Sequence, residues 1–553
     1  VNTSNGSTPS GNSQDFLMGA MDQSGSPTNY FNGWIDEVRI WNKTLNVEHI
    51  RQMMNQQIIS SGTSVIGEVV PVIVHGPDND GNGSDDDVLN WANLDGYYRM
   101  DQINCGYLEP YNAIGVNGKL MNITTPQEET APLPYTSRVD NQQWGTDNSW
   151  THFSVWDPPN SMGVDGSTMI DWNIAQVSHN ISSGNRDITL LALLLDTPGK
   201  MLTMAEPSEP LDEFNDGQGL FLTHYLLMDG NIDLVGESQL VQKRYHTAQY
   251  SPSILADASA GYLERDQQGT RSSFNYNYWA SPVSYQGAPN NAPYTIASML
   301  MDGTDSSNPG PISFGGQWDW AYADGPLSSP IKLSNYWFWK FNGTDDDYDS
   351  WQHVGATGTI LAGEGYTQKG TDGSASILDR HNYVFRGKTN NESIQLGIAV
   401  GDDSFIGNPY PSAIDAHEFI WDNVADGLGR APSNIIEGAL YFWDHFAGAT
   451  HILREYIGGY AVYNLIGGNP AISTDYRINA TGGTSNNTPE RYVAVGQGFF
   501  VVAIAGGNIS LKNSQREFTR EITKGDNTGS YIYKTAATNK STAPTKAIQR
   551  KPD

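Results

Sequence analysis

Apolar residues along this 553-residue chain alternate or gather in short runs, and the breaks between runs are Gly, Asn, Asp, Ser and Pro. That spacing predicts strands and turns, with helical spacing confined to brief stretches. Near the start, Phe31, Gly33, Ile35, Val38, Ile40 and Trp41 read as a glycine-opened strand with one apolar face. A short amphipathic run at Leu45, Val47, Ile50 and Met53 follows it. The run Val65-Ile-Gly-Glu-Val-Val-Pro-Val-Ile-Val74 is β-rich. Between 150 and 241, runs at 188–195, 201–204, 220–227, 232–234 and 239–241 are separated by Gly, Asn and Asp. Strands this short and this regularly spaced predict coils of a small parallel solenoid, with Gly230-Asn-Ile-Asp-Leu and Gly236-Glu-Ser-Gln-Leu-Val as successive rungs. From 246 to 530, alternation between turn residues predicts a β-sandwich. One helix is expected over 413–421, begun by Pro411-Ser412, with Ile414, Phe419 and Ile420 on one side. The fold class is therefore all-β and multidomain.

Length supports several domains. Asp and Glu number 61 against 31 Lys and Arg, for a formal charge of −30. A surface that acidic repels nucleic acid and anionic lipid and favours divalent cations, so nucleic-acid binding is excluded. No run reaches membrane-spanning length, so membrane insertion is not expected. Cys105 is the single cysteine, so an intrachain disulfide is impossible. Stabilisation without disulfides suits a bacterial surface protein better than a eukaryotic secreted one.

Two stretches carry family resemblance. Gly33 and Ile35-Asp-Glu-Val-Arg-Ile-Trp-Asn42 resemble the last strand and closing turn of a laminin-G-like (concanavalin-like) jelly roll. Too few residues precede it to complete such a domain, so the chain is expected to begin inside one. Leu94-Asp-Gly-Tyr-Tyr-Arg-Met-Asp101 and Gly118-Lys-Leu-Met-Asn122 resemble the opening strands of a second such unit that breaks off. Farther on come Asn275-Tyr-Asn-Tyr-Trp-Ala-Ser-Pro-Val283, Gly363-Glu-Gly-Tyr366 with Gly370, and Gly407-Asn-Pro-Tyr-Pro-Ser412 with Asp415. Gly458-Gly-Tyr-Ala-Val-Tyr463 and Val495-Gly-Gln-Gly-Phe-Phe-Val-Val502 complete the series. In this order, over roughly 93–530, they resemble predicted secreted proteins of Bacteroidota exported by type IX secretion, whose sorting domain does not appear here. The resemblance implies an extracellular or cell-surface location on the outer-membrane exterior, and contact with the type IX machinery during export. The expected division is a jelly-roll remnant at 1–57, a β linker at 58–92 and a partial β unit at 93–145. A solenoid-like domain at 146–245, a β-sandwich at 246–530 and a tail at 531–553 follow.

Among chemical motifs, the loop at 78–87 is the sharpest. Asp78, Asp80 and Asn82 alternate ahead of Gly83, as oxygen ligands do in a calcium loop. Ser84 offers its carbonyl at position seven and Asp86 sits at position nine. Leu89 stands where a bidentate glutamate is expected, and Asp87 is the candidate substitute. The expectation is Ca2+ held by Asp78, Asp80, Asn82, Ser84, Asp86 and Asp87; the alternative is a solvated acidic linker. Asp345-Asp-Asp-Tyr-Asp349 reads as a polar hairpin tip. His445 and His451, six apart across Gly448, lack the spacing of a helical metal pair and read as a turn. No Gly-x-Ser-x-Gly, His-Glu-x-x-His or phosphate-binding glycine loop occurs, so no catalytic residue and no enzyme activity is expected. Trp337, Trp339 and Phe341 are expected on one strand face and Tyr336, Phe338 and Lys340 on the other, with Trp337 and Trp339 in the core.

These features fit an extracellular structural or adhesive segment of a large bacterial surface protein: adhesin, stalk or fibre, stiffened by calcium. Its partners would be neighbouring domains, copies of itself or glycans. The alternative is the non-catalytic carbohydrate-binding portion of a secreted polysaccharide-processing protein.

Overall fold

Strands dominate the computed structural model, which describes residues 16–77, 86–112, 115–123, 129–243, 253–316, 319–344, 348–452, 455–473, 483–521 and 530–531. The helices among them are short, and none is long and apolar enough to cross a membrane. The chain is all-β and forms two units. One comprises Val1–Asn46, Gln57–Val74 and Val88–Ala131; the other comprises Val47–Gln56, His75–Asp87 and Pro132–Asp553.

In the first unit, the strand Val38–Trp41 pairs antiparallel with Leu94–Tyr98, Val38 opposite Tyr98. Pieces that the sequence divides between 1–57 and 93–145 therefore share one sheet. The long strand expected from Phe31 is shorter than its pattern, and Phe31, Trp34 and Ile35 are exposed. A hairpin of Ile58–Ser61 and Ser64–Gly67 supplies the start of the β-rich run, whose Val70 and Val74 are buried outside any strand. The amphipathic run forms the helix Val47–Met54, which belongs to the second unit. There Gln52 exchanges two hydrogen bonds with the backbone of His75 (2.9 and 3.3 Å).

The second unit opens with a parallel β-solenoid. Tyr135–Thr136, Ile174–Gln176, Ile188–Leu195, Gly219–Met228 and then both Gln239–Val241 and Ile254–Leu255 form one parallel sheet. Gln142–Gln143, Ile181–Ser182, Met201–Met204, Asn231–Leu234 and Leu263–Thr270 form the other. Alternate strands thus pair, so the two stretches read as successive rungs lie in different sheets. Ile188–Leu195 is nearly continuous in apolar residues because a parallel strand of this kind is covered on both faces. Leu190, Leu193, Leu202, Leu220, Leu226, Ile232 and Leu263 fill the interior. The solenoid runs beyond both limits expected for it, because its first strands are too short to show a pattern and its last is polar.

Leu263–Thr270 ends the parallel stacking. Its free edge pairs antiparallel with Arg380–Thr389, Leu263 opposite Gly387. The last coil is also sealed by the chain's C-terminal part. Buried Arg516 donates to Leu240 O (2.5 Å) and Ser412 Oγ (3.3 Å), and Gln239 donates to Thr519 O (2.8 Å). A seven-stranded antiparallel sheet follows, in the order Trp351–His353, Trp339–Gly343, Asp403–Gly407, Gly498–Val502, Ala439–Ala447, Ile457–Asn464, Gly467–Asn469. One face carries Ile406, Phe499, Val501, Leu440 and Phe442 and packs with residues of the antiparallel strand pair Ile394–Ile398/Gly507–Leu511 and of the helix Ala416–Asn423. That helix begins after Asp415, which caps His417 N (2.9 Å), because Ala413–Asp415 is a strand. The other face is aromatic.

Candidate functional site

Period-two alternation puts Phe341, Phe405, Phe500 and Trp443 of four neighbouring strands on the same side of the seven-stranded sheet. Phe405 and Phe500 stack almost parallel, 4.8 Å and 7° apart. Trp351, Tyr441 and Tyr460 surround them as a half-buried rim. Part of this face is covered by the two-stranded sheet of Tyr276–Trp279 and Tyr366–Lys369, in which Tyr276 lies opposite Lys369. Tyr366 and Trp279 point to the solenoid-side core, and Tyr278 to the aromatic side.

Lys369 is the chemical centre of this side. It is 1 % exposed, yet its Nζ lies 2.7 Å from the Tyr456 hydroxyl and 2.8 Å from His451 Nδ1. Rings of Trp337, Tyr276 and Tyr456 surround it at 4.0, 4.7 and 5.3 Å, as in a cation–π cage. His451 Nε2 lies 2.6 Å from Asp324 Oδ1, which also accepts from Ser273 Oγ (3.0 Å). Trp337 stacks on the His451 imidazole at 5.0 Å and Phe274 lies against it at 4.7 Å. A carboxylate only accepts, so Nε2 carries the proton and Nδ1 is left to accept from Lys369. Burial lowers the Lys369 pKa to about 7, against the attraction of Asp324. Burial and then the nearby lysine lower that of His451, against Asp324. Burial holds His445, beside Tyr456, down to about 4. The arrangement holds an amine near neutrality while sealing it from solvent.

Sequence reasoning missed Lys369 and Asp324, which stand 82 and 127 residues from His451. It read His445 and His451 together as a turn, yet the two part: His445 Nε2 donates to Ala447 O (2.7 Å) while His451 reaches the lysine. The alternation expected at 336–341 holds only from Trp339 onward. Asn335–Trp337 is a 3-10 turn and the strand is Trp339–Gly343, so Phe338 and Phe341 are buried while Trp337 and Trp339 are only partly so. The core placement of those two tryptophans is corrected accordingly. Trp339 instead forms an outer group with Tyr336 and His353 (5.7 and 4.8 Å).

Of the six residues expected to bind calcium, Asp78, Asp80, Asn82 and Ser84 lie outside the described residues. Asp86 O accepts from Gly76 N (2.9 Å), closing the base of the loop. Asp87 adopts positive φ (54°), and its carbonyl accepts from His49 Nε2 (2.7 Å). Among the described residues no group of three His, Cys, Asp or Glu stands together as metal ligands would. Of the acidic run at 345–349, residues 345–347 lie outside the described residues and Asp349 is exposed. Cys105 is exposed in the turn between Ile103–Asn104 and Tyr107–Leu108.

Residues 322–550 match the model of a family described as a domain of unknown function, DUF8693. No curated protein and no solved structure matches the chain.

Proposed function

We propose that this chain is an extracellular structural and adhesive segment of a large bacterial surface protein, non-enzymatic, with the solenoid as a stiff spacer and the aromatic sheet face as the contact surface. The observation that carries this reading is the partly exposed rim of Trp351, Tyr441 and Tyr460 around Phe405 and Phe500 on one sheet face. Aromatic rings with polar tips suit ligands that are apolar on one face and hydroxylated at the edge, as sugar rings are. The charge of −30 disfavours anionic polymers, so the ligand class is a neutral glycan. Resemblance to type IX secretion substrates of Bacteroidota supports the outer-membrane exterior as its location. The loop of Asp78, Asp80, Asn82, Ser84, Asp86 and Asp87 is proposed to bind Ca2+.

Binding of the chain to an array of neutral and acidic polysaccharides tests the reading. Retention on a neutral glycan should fall at least about tenfold in the Trp351→Ala/Tyr460→Ala variant, a loss of about 1.4 kcal/mol. Trp320→Ala, at a 65 % exposed tryptophan outside this face, should leave retention unchanged. Failure to bind any glycan, or binding indifferent to the double variant, would remove the adhesive face from the proposal. The second reading, a carbohydrate-binding portion of a polysaccharide-processing protein, uses the same face; it lacks a reason for the long solenoid.

A further inference from the structure

We infer that Lys369, His451 and Asp324 form a proton-operated latch on the segment 448–456, closed at neutral pH and opened by acid, which controls the aromatic face beside it. The segment leaves the strand Ala439–Ala447 and returns as Ile457–Asn464. Among its described residues the internal bonds are local: Thr450 Oγ1 donates to Glu455 (3.0 Å) and Glu455 N to Ile452 O (2.8 Å). Among its described residues, the side-chain bonds that reach other segments run from His451 and Tyr456 to Lys369, Asp324 and Tyr276. Ring packing of His451 on Trp337 and Phe274 and of Tyr456 in the aromatic cluster adds to these bonds.

Proton counting shows why acid should open it. At neutral pH, Lys369 donates into the lone pair of His451 Nδ1 while Nε2–H is held by Asp324. A second proton on His451 must go to Nδ1, which then faces the lysine amine 2.8 Å away, donor against donor and cation against cation. The charged or titratable groups facing this point from the packed elements are few. Asp324 is the facing carboxylate, and it already accepts from His451 and Ser273. His445 is held neutral by burial. Arg271, next along, is paired with Asp372 (2.7 Å). Tyr276, Trp337 and Phe274 supply rings without formal charge.

Both relevant groups work in one direction. His451 has a folded pKa below its ordinary one, so the closed form is favoured above that ordinary value and loses stability as pH falls through the folded one. Lys369 has the same sign, but its loss falls between 10.5 and about 7, so His451 sets the acid window. The consequence reaches the rim through packed rings. Tyr456 touches His445 (5.1 Å), His445 touches Trp443 (6.4 Å), and Trp443 touches Tyr460 (5.3 Å). Control of binding rests on the adhesive reading above; the latch itself does not.

Hydrogen exchange by mass spectrometry on the full chain at pH 8 and pH 5, corrected for the chemical exchange rate, tests the latch. Amides of 448–460 should exchange at least about tenfold faster at pH 5 while those of the solenoid hold. His451→Gln, which takes up no proton, should keep the segment protected at both pH values. Asp444→Asn, which alters the neighbouring buried carboxylate, should still open in acid. No acid response at 448–460, or an equal response in His451→Gln, would overturn the latch. Binding of a soluble neutral β-glucan at the same two pH values separates the rest. An opened segment with unchanged binding overturns the control of the face; no binding at either pH overturns the adhesive reading and leaves the latch standing.

Discussion

Ionisable side chains in the seven-stranded sheet and in the strand pair that covers it push stability in opposite directions with pH, and each sign follows from its own surroundings. Asp444 is fully buried, its pKa raised by burial to about 6 although Ser485 and Asn487 (3.1 Å) donate to it. Its folded pKa exceeds the free value, so its contribution is complete below about pH 4 and is lost as pH rises through 6. Asp444→Asn should therefore gain on the parent chain by about 2–3 kcal/mol between pH 4 and pH 8, measured by denaturant unfolding. A difference that does not change with pH would refute that burial cost. Lys369 has the reverse sign. Neither residue was legible as special in the sequence: Lys369 sits in Gly363-Glu-Gly-Tyr-Thr-Gln-Lys-Gly370 as an ordinary strand residue. What makes it unusual arrives from Tyr276, Asp324, His451 and Tyr456, brought in by other segments.

Strands and turns were easier to read than their faces. The apolar runs of the solenoid coincide with its central strands because a doubly covered parallel strand must be apolar throughout. The aromatic stretch was misassigned at its start because Asn335–Trp337 is a 3-10 turn, so Trp337 and Phe338 lie outside the strand while Trp339 and Phe341 keep the expected alternation. Glycines at the solenoid turns show how tightly coils stack. A Cβ on Gly261 would lie 1.8 Å from Gly230 O, whereas one on Gly199, at φ 80°, meets nothing within 4 Å. Gly199→Ala should cost only the left-handed backbone penalty, about 1–2 kcal/mol. Gly261→Ala must displace backbone of the adjacent coil and should cost distinctly more. Equal denaturation midpoints for the two variants would contradict the stacking argument.

At the scale of the whole molecule, the charge of −30 sets a background of self-repulsion that a bound divalent cation relieves. If the loop at 78–87 holds Ca2+, millimolar calcium should raise the melting temperature saturably, by about 2.7 kcal/mol of stability at a hundredfold excess over Kd. Asp78→Asn/Asp80→Asn should abolish the rise, and a flat titration of the parent chain would dismiss the site. The sequence by itself determined the all-β class and the parallel solenoid, because these depend on local periodicity and turn chemistry. Four of the motifs that carry the family resemblance contain residues of this aromatic side (Tyr276 and Tyr278, Lys369, Tyr460, Phe500), but nothing in their order showed that they meet. Only the tertiary structure decided that rings enclose one lysine, that Leu263–Thr270 turns a parallel stack into an antiparallel sheet, and that strands forty or more residues apart share the first unit's sheet. Pairing across such distances leaves no periodic trace, since each partner's pattern is satisfied by any edge of matching polarity.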